Sequence, residues 1–355
     1  MGRRILILAG GTGGHVYPAL AVAQELMNRG CIVTWLGTKK GLEARVVPDA
    51  EIAIDWLPVT GIRGKGWNTL LKVPFMLFLT CYKAWQVIRI RRPHAILGMG
   101  GFVAGPGGLM ARLMGIPLII HEQNRVPGTT NRLLHRLAKV VLEAFPQSFP
   151  ANVNARWVGN PLREEMMNFD QSINNIEPGR SLHVLVVGGS QGAKLLNEII
   201  PKVLGKVTDI HIRHQTGKKQ VEEVKRSYAN QPNQIEVISF IEKMGEAYRW
   251  ADLVICRAGA MTVSELAACG VPSILVPLAN AIDDHQTANA MYLGEAGAAV
   301  VISEQQLSVE KVAEKVLMLQ QERTELLRMS EKAKLCAKLD ATDQVVDICL
   351  QECSA

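Results

Sequence analysis

Two stretches late in the chain carry residue types suited to gripping a nucleotide. The first sets a glycine turn, Arg257-Ala258-Gly259-Ala260, ahead of a helical pattern holding Met261, Thr262, Val263, Ser264 and Glu265. The second, Asp283-Asp284-His285-Gln286, opens a further helical run. A glycine turn feeding a helix N-terminus presents unpaired N–H groups and the positive end of the helix dipole, which suits a phosphate. The Glu265 carboxylate can accept from two vicinal hydroxyls, as on a ribose, and Gln286 offers both a donor and an acceptor. Taken singly, each residue also fits an ordinary polar first turn. Taken together, they describe a nucleotide diphosphate site.

A histidine near the N-terminus is the candidate for proton transfer. Gly10-Gly11-Thr12-Gly13-Gly14-His15 follows a short apolar run. The loop resembles a dinucleotide fingerprint only in part. Its third glycine position is Val16, and the second strand ends Trp35-Leu36-Gly37-Thr38 without an acidic residue, which disfavours a nicotinamide-dependent oxidoreductase. Histidine is the side chain whose unperturbed pKa lies near neutrality, which makes His15 a candidate general base; capping the following helix is the other reading, and both stay open. Further glycine loops stand at Gly98–Pro106 and Gly188–Ala193, the latter containing Ser190. His121-Glu122-Gln123-Asn124 follows an apolar run at 118–120, where Asn124 either contacts a ligand or caps a turn. No Asp-x-Asp cluster appears, Asp283-Asp284 reads as loop structure, and neither a metal nor a cofactor is expected.

These residues need elements to hold them. Strand and helix signals alternate throughout, which predicts α/β architecture with parallel sheets flanked by helices. Strands are expected at 4–9, 32–36, 52–57, 95–97, 118–120, 155–158, 184–187, 211–215, 235–238, 253–256, 273–276 and 299–302. Helices are expected from about Pro18 to Arg29, at 218–228, from Met261 to Gly270, and from Ser308. Each turn leaving a parallel strand opens at the carboxyl edge of its sheet, where ligands of open α/β sheets bind. At 355 residues the chain exceeds the ~250–300 at which single cores stop growing, so two domains are expected. The polar stretch 164–181, with Pro178-Gly179, reads as the linker. Both halves begin with a strand and a glycine loop, which implies two similar domains facing one another across a cleft.

Charge divides the same way. Residues 1–162 hold 19 basic and 7 acidic residues, a net +12, and the rest hold 20 and 26, a net −6. The basic half is expected to face an anionic surface. No nucleic-acid motif accompanies it. The segment Trp67 to Arg92 joins Leu71, Phe75, Met76 and Phe78 to Lys72 and Lys83, just after Lys65. It is too short of apolar residues to span a bilayer, and fits either an interfacial segment on anionic lipid or an ordinary core helix. The seven cysteines are scattered and read as free thiols of a reducing compartment. The opening apolar run breaks into glycines too soon for a signal peptide.

Read in order, GGTGGHVYP at 10–18, GMGGFVAGP at 98–106, HEQN at 121–124, GNPLR at 159–163, GGSQGA at 188–193, CRAGAMTVSE at 256–265 and DDHQTANA at 283–290 are similar to the motifs of the MurG family of N-acetylglucosaminyltransferases. The resemblance runs through nearly the whole chain. It implies a GT-B fold, with an N-terminal acceptor and membrane-facing domain at 1–163 and a C-terminal donor domain at 164–340. The tail helix, about 341–355, is expected to return to the first domain. It implies inverting transfer of N-acetylglucosamine from UDP-N-acetylglucosamine to the C4 hydroxyl of undecaprenyl-diphospho-N-acetylmuramoyl-pentapeptide. The place implied is the cytoplasmic face of the bacterial inner membrane, held peripherally. Carried over by motif, donor binding falls on Thr12, Gly13, Gly14, Asn124, Arg163, Ser190, Ile241, the segment Ala260 to Glu265, and Gln286. Glu265 would hold the ribose and Ile241 the uracil. Ser190 and the helix N-termini, with Arg163, would face the diphosphate. His15 is the candidate base, with Glu122 in reserve. This chain has His285 where some members carry a second Gln. The alternatives are another GT-B lipid transferase, such as a diacylglycerol glycosyltransferase, and a non-catalytic sugar-nucleotide binding protein.

Overall fold

Alternating buried apolar runs and amphipathic helices build two parallel sheets, seen in a computed structural model that describes residues 2–58, 73–167, 180–188, 193–229, 231–279 and 284–354. The chain divides into two compact units, Met1–Arg163 with Lys338–Ala355, and Glu164–Ala337. Most of the expected linker, 168–179, lies outside the described residues; Glu164–Met167 is a short helix of the second unit.

The first unit carries a seven-stranded sheet in the order β3-β2-β1-β4-β5-β6-β7. Its strands are β1 (Arg4–Leu8), β2 (Ile32–Gly37), β3 (Ala53–Trp56), β4 (Ala95–Gly98), β5 (Leu118–Glu122), β6 (Val140–Glu143) and β7 (Arg156–Trp157). Every pairing is parallel. Alternation along β1 sends Ile5 and Ile7 into one buried layer and Leu6 and Leu8 into the other.

The tail helix Ala341–Glu352 belongs to this unit and completes the first of those layers. Val345, Val346, Ile348 and Cys349 join Ile5, Ile7 and the inner face of the Gly13–Asn28 helix. Polar contacts fix its place: Arg29 pairs with Asp347 at 2.6 Å and with Asp343, and Lys139 pairs with Glu352 at 2.6 Å.

The second unit carries a six-stranded parallel sheet in the order β10-β9-β8-β11-β12-β13. The strands are β8 (Leu182–Val187), β9 (Ile210–Gln215), β10 (Gln234–Ile238), β11 (Leu253–Cys256), β12 (Ser273–Leu275) and β13 (Ala299–Val301). The expected long helix after Ser308 is two helices, Val309–Gln321 and Arg323–Leu335, broken at Glu322. All seven cysteines are free thiols. Among the described residues no group of His, Cys, Asp or Glu is arranged to hold a metal ion. No described helix is long and apolar enough to cross a membrane.

Candidate active site

In each unit the strand order reverses direction beside the first strand, between β1 and β4 and between β8 and β11. Connections leave such a point to opposite sides and open a crevice at the carboxyl edge. The register Leu8↔Gly98 brings the loops after β1 and β4 out side by side, and the Met99 N–H extends the ladder to the Leu8 carbonyl at 2.9 Å.

The helix after β1 starts at Gly13, not near Pro18, and so contains Gly13, Gly14 and His15. Pro18 is its sixth residue, past the first turn, so the helix forgoes one internal N–H bond to carry it. Thr12 is the exposed N-cap, and its carbonyl accepts from His15 N at 3.1 Å and Val16 N at 3.2 Å. No acidic residue stands in the first turn to offset the positive helix end.

The loop itself is held by a residue that sequence reasoning missed. Fully buried Glu43 accepts from the Gly11 N–H at 2.9 Å, from the Thr38 N–H at 2.9 Å and from the Thr38 hydroxyl at 2.7 Å. From the other side, Gly100 (φ 94) presses on the His15 ring, where an added Cβ would lie 2.9 Å from Nδ1. Gly100 thus combines a left-handed backbone with close approach, two reasons for glycine at one position.

The HEQN tetrapeptide is drawn deeper than expected. β5 runs on through His121 and Glu122 because they pair with Leu142 and Glu143 of β6. His121, Glu122 and Gln123 are buried. Gln123 Oε1 lies 2.9 Å from His15 Nδ1, and its Nε2 lies 3.0 Å from His121 Nδ1 and 3.1 Å from the His121 carbonyl. His121 Nε2 meets the Gly159 carbonyl at 2.9 Å. Burial pushes His121 down to about 4, outweighing that carbonyl and the Glu122 charge.

The Glu122 carboxylate is fully engaged. One oxygen accepts from Asn124 N at 2.9 Å and Asn124 Nδ2 at 3.2 Å, the other from Gly128 N at 3.0 Å and Asn131 Nδ2 at 2.9 Å. Those four hydrogen bonds turn both carboxylate oxygens into the 124–131 loop, so Glu122 shapes the loop that carries Asn124. Arg163 places its guanidinium 5.7 Å from the Tyr17 ring centroid, beside the helix that carries His15.

In the second unit, Gly259 caps the helix Ala260–Cys269, which ends on Gly270 in left-handed conformation. Its first turn also lacks an acidic residue. Ala260 and Val263 are buried, so only the backbone of those two positions can face a ligand, whereas Met261, Thr262, Ser264 and Glu265 are half-buried. Glu265 Oε2 accepts from the Tyr248 hydroxyl at 3.1 Å. Burial, with the Glu265 charge added, pushes that phenol well above its ordinary value, which keeps it a donor. Tyr248 sits on a helix, Met244–Trp250, whose short polar sequence gave no clear signal.

Arg257 is committed to structure, pairing with Glu304 at 2.5 Å and donating to the Val276 carbonyl at 3.1 Å. Gln286, on the helix His285–Glu295, accepts from Leu278 N at 3.1 Å. Asp284 has left-handed backbone (φ 50) and accepts from the Thr287 hydroxyl at 2.7 Å, a loop-to-helix role. Ile241 is half-buried in the loop after β10. Ser190 and Asp283 lie outside the described residues.

Comparison with known proteins places this geometry. Residues 5–143 match the glycosyltransferase family 28 N-terminal domain, and residues 183–345 match its C-terminal domain. The chain belongs to glycosyltransferase family 28. The two domain matches together take in both glycine-loop crevices. A relative from Methylococcus capsulatus is 55% identical over 357 residues, covering 100% of both chains. Its name is UDP-N-acetylglucosamine–N-acetylmuramyl-(pentapeptide) pyrophosphoryl-undecaprenol N-acetylglucosamine transferase. A Shewanella loihica relative of the same name is 48% identical and covers 98% of this chain and 96% of its own. The crystal structure of Acinetobacter baumannii MurG superposes with a TM-score of 0.87 at 42% identity, covering 98% of this chain and 99% of that one. The fold class is therefore GT-B, two Rossmann-like domains with parallel sheets.

Proposed function

We propose that this family 28 enzyme transfers N-acetylglucosamine from UDP-N-acetylglucosamine to the C4 hydroxyl of undecaprenyl-diphospho-N-acetylmuramoyl-pentapeptide, inverting the anomeric centre. The observation that carries this reading is the end-to-end match, 55% identical over 357 residues, to a relative named for that transfer. The site chemistry supports it.

Inversion by direct displacement needs one base and a stabilised leaving group. His15 Nε2 takes the acceptor hydroxyl proton, the oxygen attacks the anomeric carbon, and the bond to the diphosphate breaks with its electrons leaving on UDP. Among the described residues nothing engages Nε2, because Gln123 occupies Nδ1. Departing negative charge falls to uncompensated helix N-termini and Arg163. Glu265 holds the ribose hydroxyls, Ile241 contacts the uracil, and Thr12, Gly13, Gly14, Asn124, Ser190, the 260–264 segment and Gln286 complete the donor contacts. Turnover of UDP-N-acetylglucosamine with the lipid-linked muramoyl acceptor tests the assignment. Transfer to diacylglycerol instead, or binding without turnover, would replace it.

The acceptor's lipid anchor requires the first unit to approach a bilayer. On the helix Val73–Arg91, Phe75 and Phe78 are 65% and 67% exposed, while Ala84, Val87 and Ile88 on the opposite face are buried. Leu113 and Leu133, on two further helices of this unit, are 70% and 69% exposed. Exposed Lys83, Arg112, Arg132 and Arg136 accompany them. Met76 is half-buried, and Lys65, Leu71 and Lys72 lie outside the described residues. An apolar surface flanked by cations suits an anionic leaflet, in keeping with a peripheral place on the cytoplasmic face of the inner membrane.

A further inference from the structure

We infer that Gln123, anchored by His121, is a positioning residue that holds His15 as its Nδ1–H tautomer and so leaves the Nε2 lone pair to accept the proton. The inference rests on the transfer reading for its catalytic consequence, but the geometry stands alone. Two main-chain carbonyls decide the direction of every bond in the chain. The Gly159 carbonyl can only accept, so His121 Nε2, 2.9 Å away, carries the hydrogen. His121 is buried and neutral, which leaves its Nδ1 as an acceptor. The Gln123 amide then turns its nitrogen toward His121 Nδ1, at 3.0 Å.

The second carbonyl fixes the same orientation independently. The same Gln123 nitrogen lies 3.1 Å from the His121 carbonyl oxygen, so a flipped amide would set two acceptors against each other. With the nitrogen so placed, Gln123 Oε1 faces His15 Nδ1 at 2.9 Å and accepts from it. A neutral imidazole holds one hydrogen, so Nε2 is bare. Asn160 Nδ2 donates to the Gln123 carbonyl at 3.1 Å and steadies the backbone beneath. Glu122, next in the strand, has its carboxylate turned to Asn124, Gly128 and Asn131 and does not compete for His15.

A histidine without such a partner samples both tautomers, and an orienting group is what selects one. Carboxylates often serve; here an amide does so without placing a charge beside the imidazole.

The test has a spectroscopic and a kinetic arm. In ring-nitrogen-labelled wild-type enzyme, with His15 assigned by its loss in His15→Ala, the nitrogen spectrum at pH 8 should show Nδ1 protonated and Nε2 bare. The opposite tautomer would overturn the inference without any variant or assay. In the kinetic arm, Gln123→Met should lower kcat tenfold to a hundredfold, part of the ~10²–10⁴ a general base contributes, with donor KM within twofold. Gln123→Glu restores an acceptor for His15 Nδ1 and adds a charge, which should raise the acid limb of the kcat profile by about 1–3 pH units. A purely structural role would leave that limb in place. An unmoved limb with kcat within twofold in Gln123→Met would also overturn the inference. If instead the spectrum is as expected but His15→Ala keeps its kcat, the relay stands and the base assignment falls.

Discussion

The Glu43 carboxylate accepts the Gly11 amide hydrogen at 2.9 Å, and 32 residues of sequence separate the two. The glycine loop is thus shaped from below by a buried charge as well as by its own flexibility. Replacing Glu43 with Ala removes the acceptor of the Gly11 and Thr38 N–H groups, at about 0.5–1.5 kcal/mol per hydrogen bond lost. The expected result is a lower melting temperature, with faster amide exchange at 11–15 than in the tail helix. Unchanged exchange there would mean the loop holds its shape without Glu43.

His15→Ala should lower kcat on the order of 10²–10⁴-fold while UDP binding survives. Steady-state kinetics beside calorimetric titration with UDP separates the two. A fall of only two- or threefold would move proton removal to another group.

Glu265→Ala should raise the donor KM more than it lowers kcat, because ribose contacts hold substrate and transition state alike. The lost charged hydrogen bonds are worth roughly 1.5–3 kcal/mol. The substitution also strips the buried Tyr248 hydroxyl of this acceptor, so a loss of thermal stability should accompany it. Glu265→Ala with Tyr248→Phe should recover stability but not donor affinity. An unchanged KM would remove Glu265 from the donor site.

Phe75→Ser with Phe78→Ser should weaken binding to anionic vesicles and leave UDP affinity intact. Both side chains are more than half exposed, so folding should not suffer. Each basic residue at such a surface is worth about 1 kcal/mol and is screened by salt, so raising ionic strength should release the native protein. Vesicle flotation of the two proteins decides the matter. Equal binding by the double variant would place membrane contact elsewhere.

Acid should unfold the enzyme through its buried histidines. Burial lowers His121 to about 4 and His214 to about 3, both below the unfolded value near 6.5. The unfolded chain then binds the extra protons. Stability from these groups is complete above about pH 6.5 and falls as pH drops through that value toward 4 and then 3. Each pH unit in that window is worth about 1.4 kcal/mol per group. Urea midpoints at pH 7.5, 6 and 5 should decrease in that order; equal midpoints would deny the histidines this role.

Much of this fold is legible in the sequence because buried parallel strands read as apolar runs. β11 falls on the run 253–256 as expected, since Asp252 and Arg257 bound it. The motif residues at sheet edges are legible for the same reason: each follows a strand that can be seen. What escapes is whatever depends on a distant partner. Glu43 is one acid among many until the fold brings Thr38 and Gly11 onto it. Gln123 lies inside a visible motif, but its role requires His15, 108 positions earlier, and Gly159 beyond. β6, Val140–Glu143, went unread because its short run ends on a glutamate. That glutamate is buried and accepts from Gln147 N and Phe149 N. The helix boundary at Pro18 misleads through a rule that favours proline in the first turn, whereas here the glycines before it are already helical.

The tail helix that completes the first unit has a consequence for how the protein is made. Translation delivers Met1–Arg163 first, then all of the second unit, and only then the residues that cover the first unit's remaining face. At ~5–20 residues per second the interval is on the order of ten to thirty seconds. Throughout it, the layer around Ile5 and Ile7 lacks Val345, Val346, Ile348 and Cys349. The nascent N-terminal half is therefore a client for whatever shields apolar surface at the ribosome exit. A gene cut at Arg163 would yield a half that waits for its cover indefinitely, whereas one that grafts 338–355 onto that half restores the missing layer.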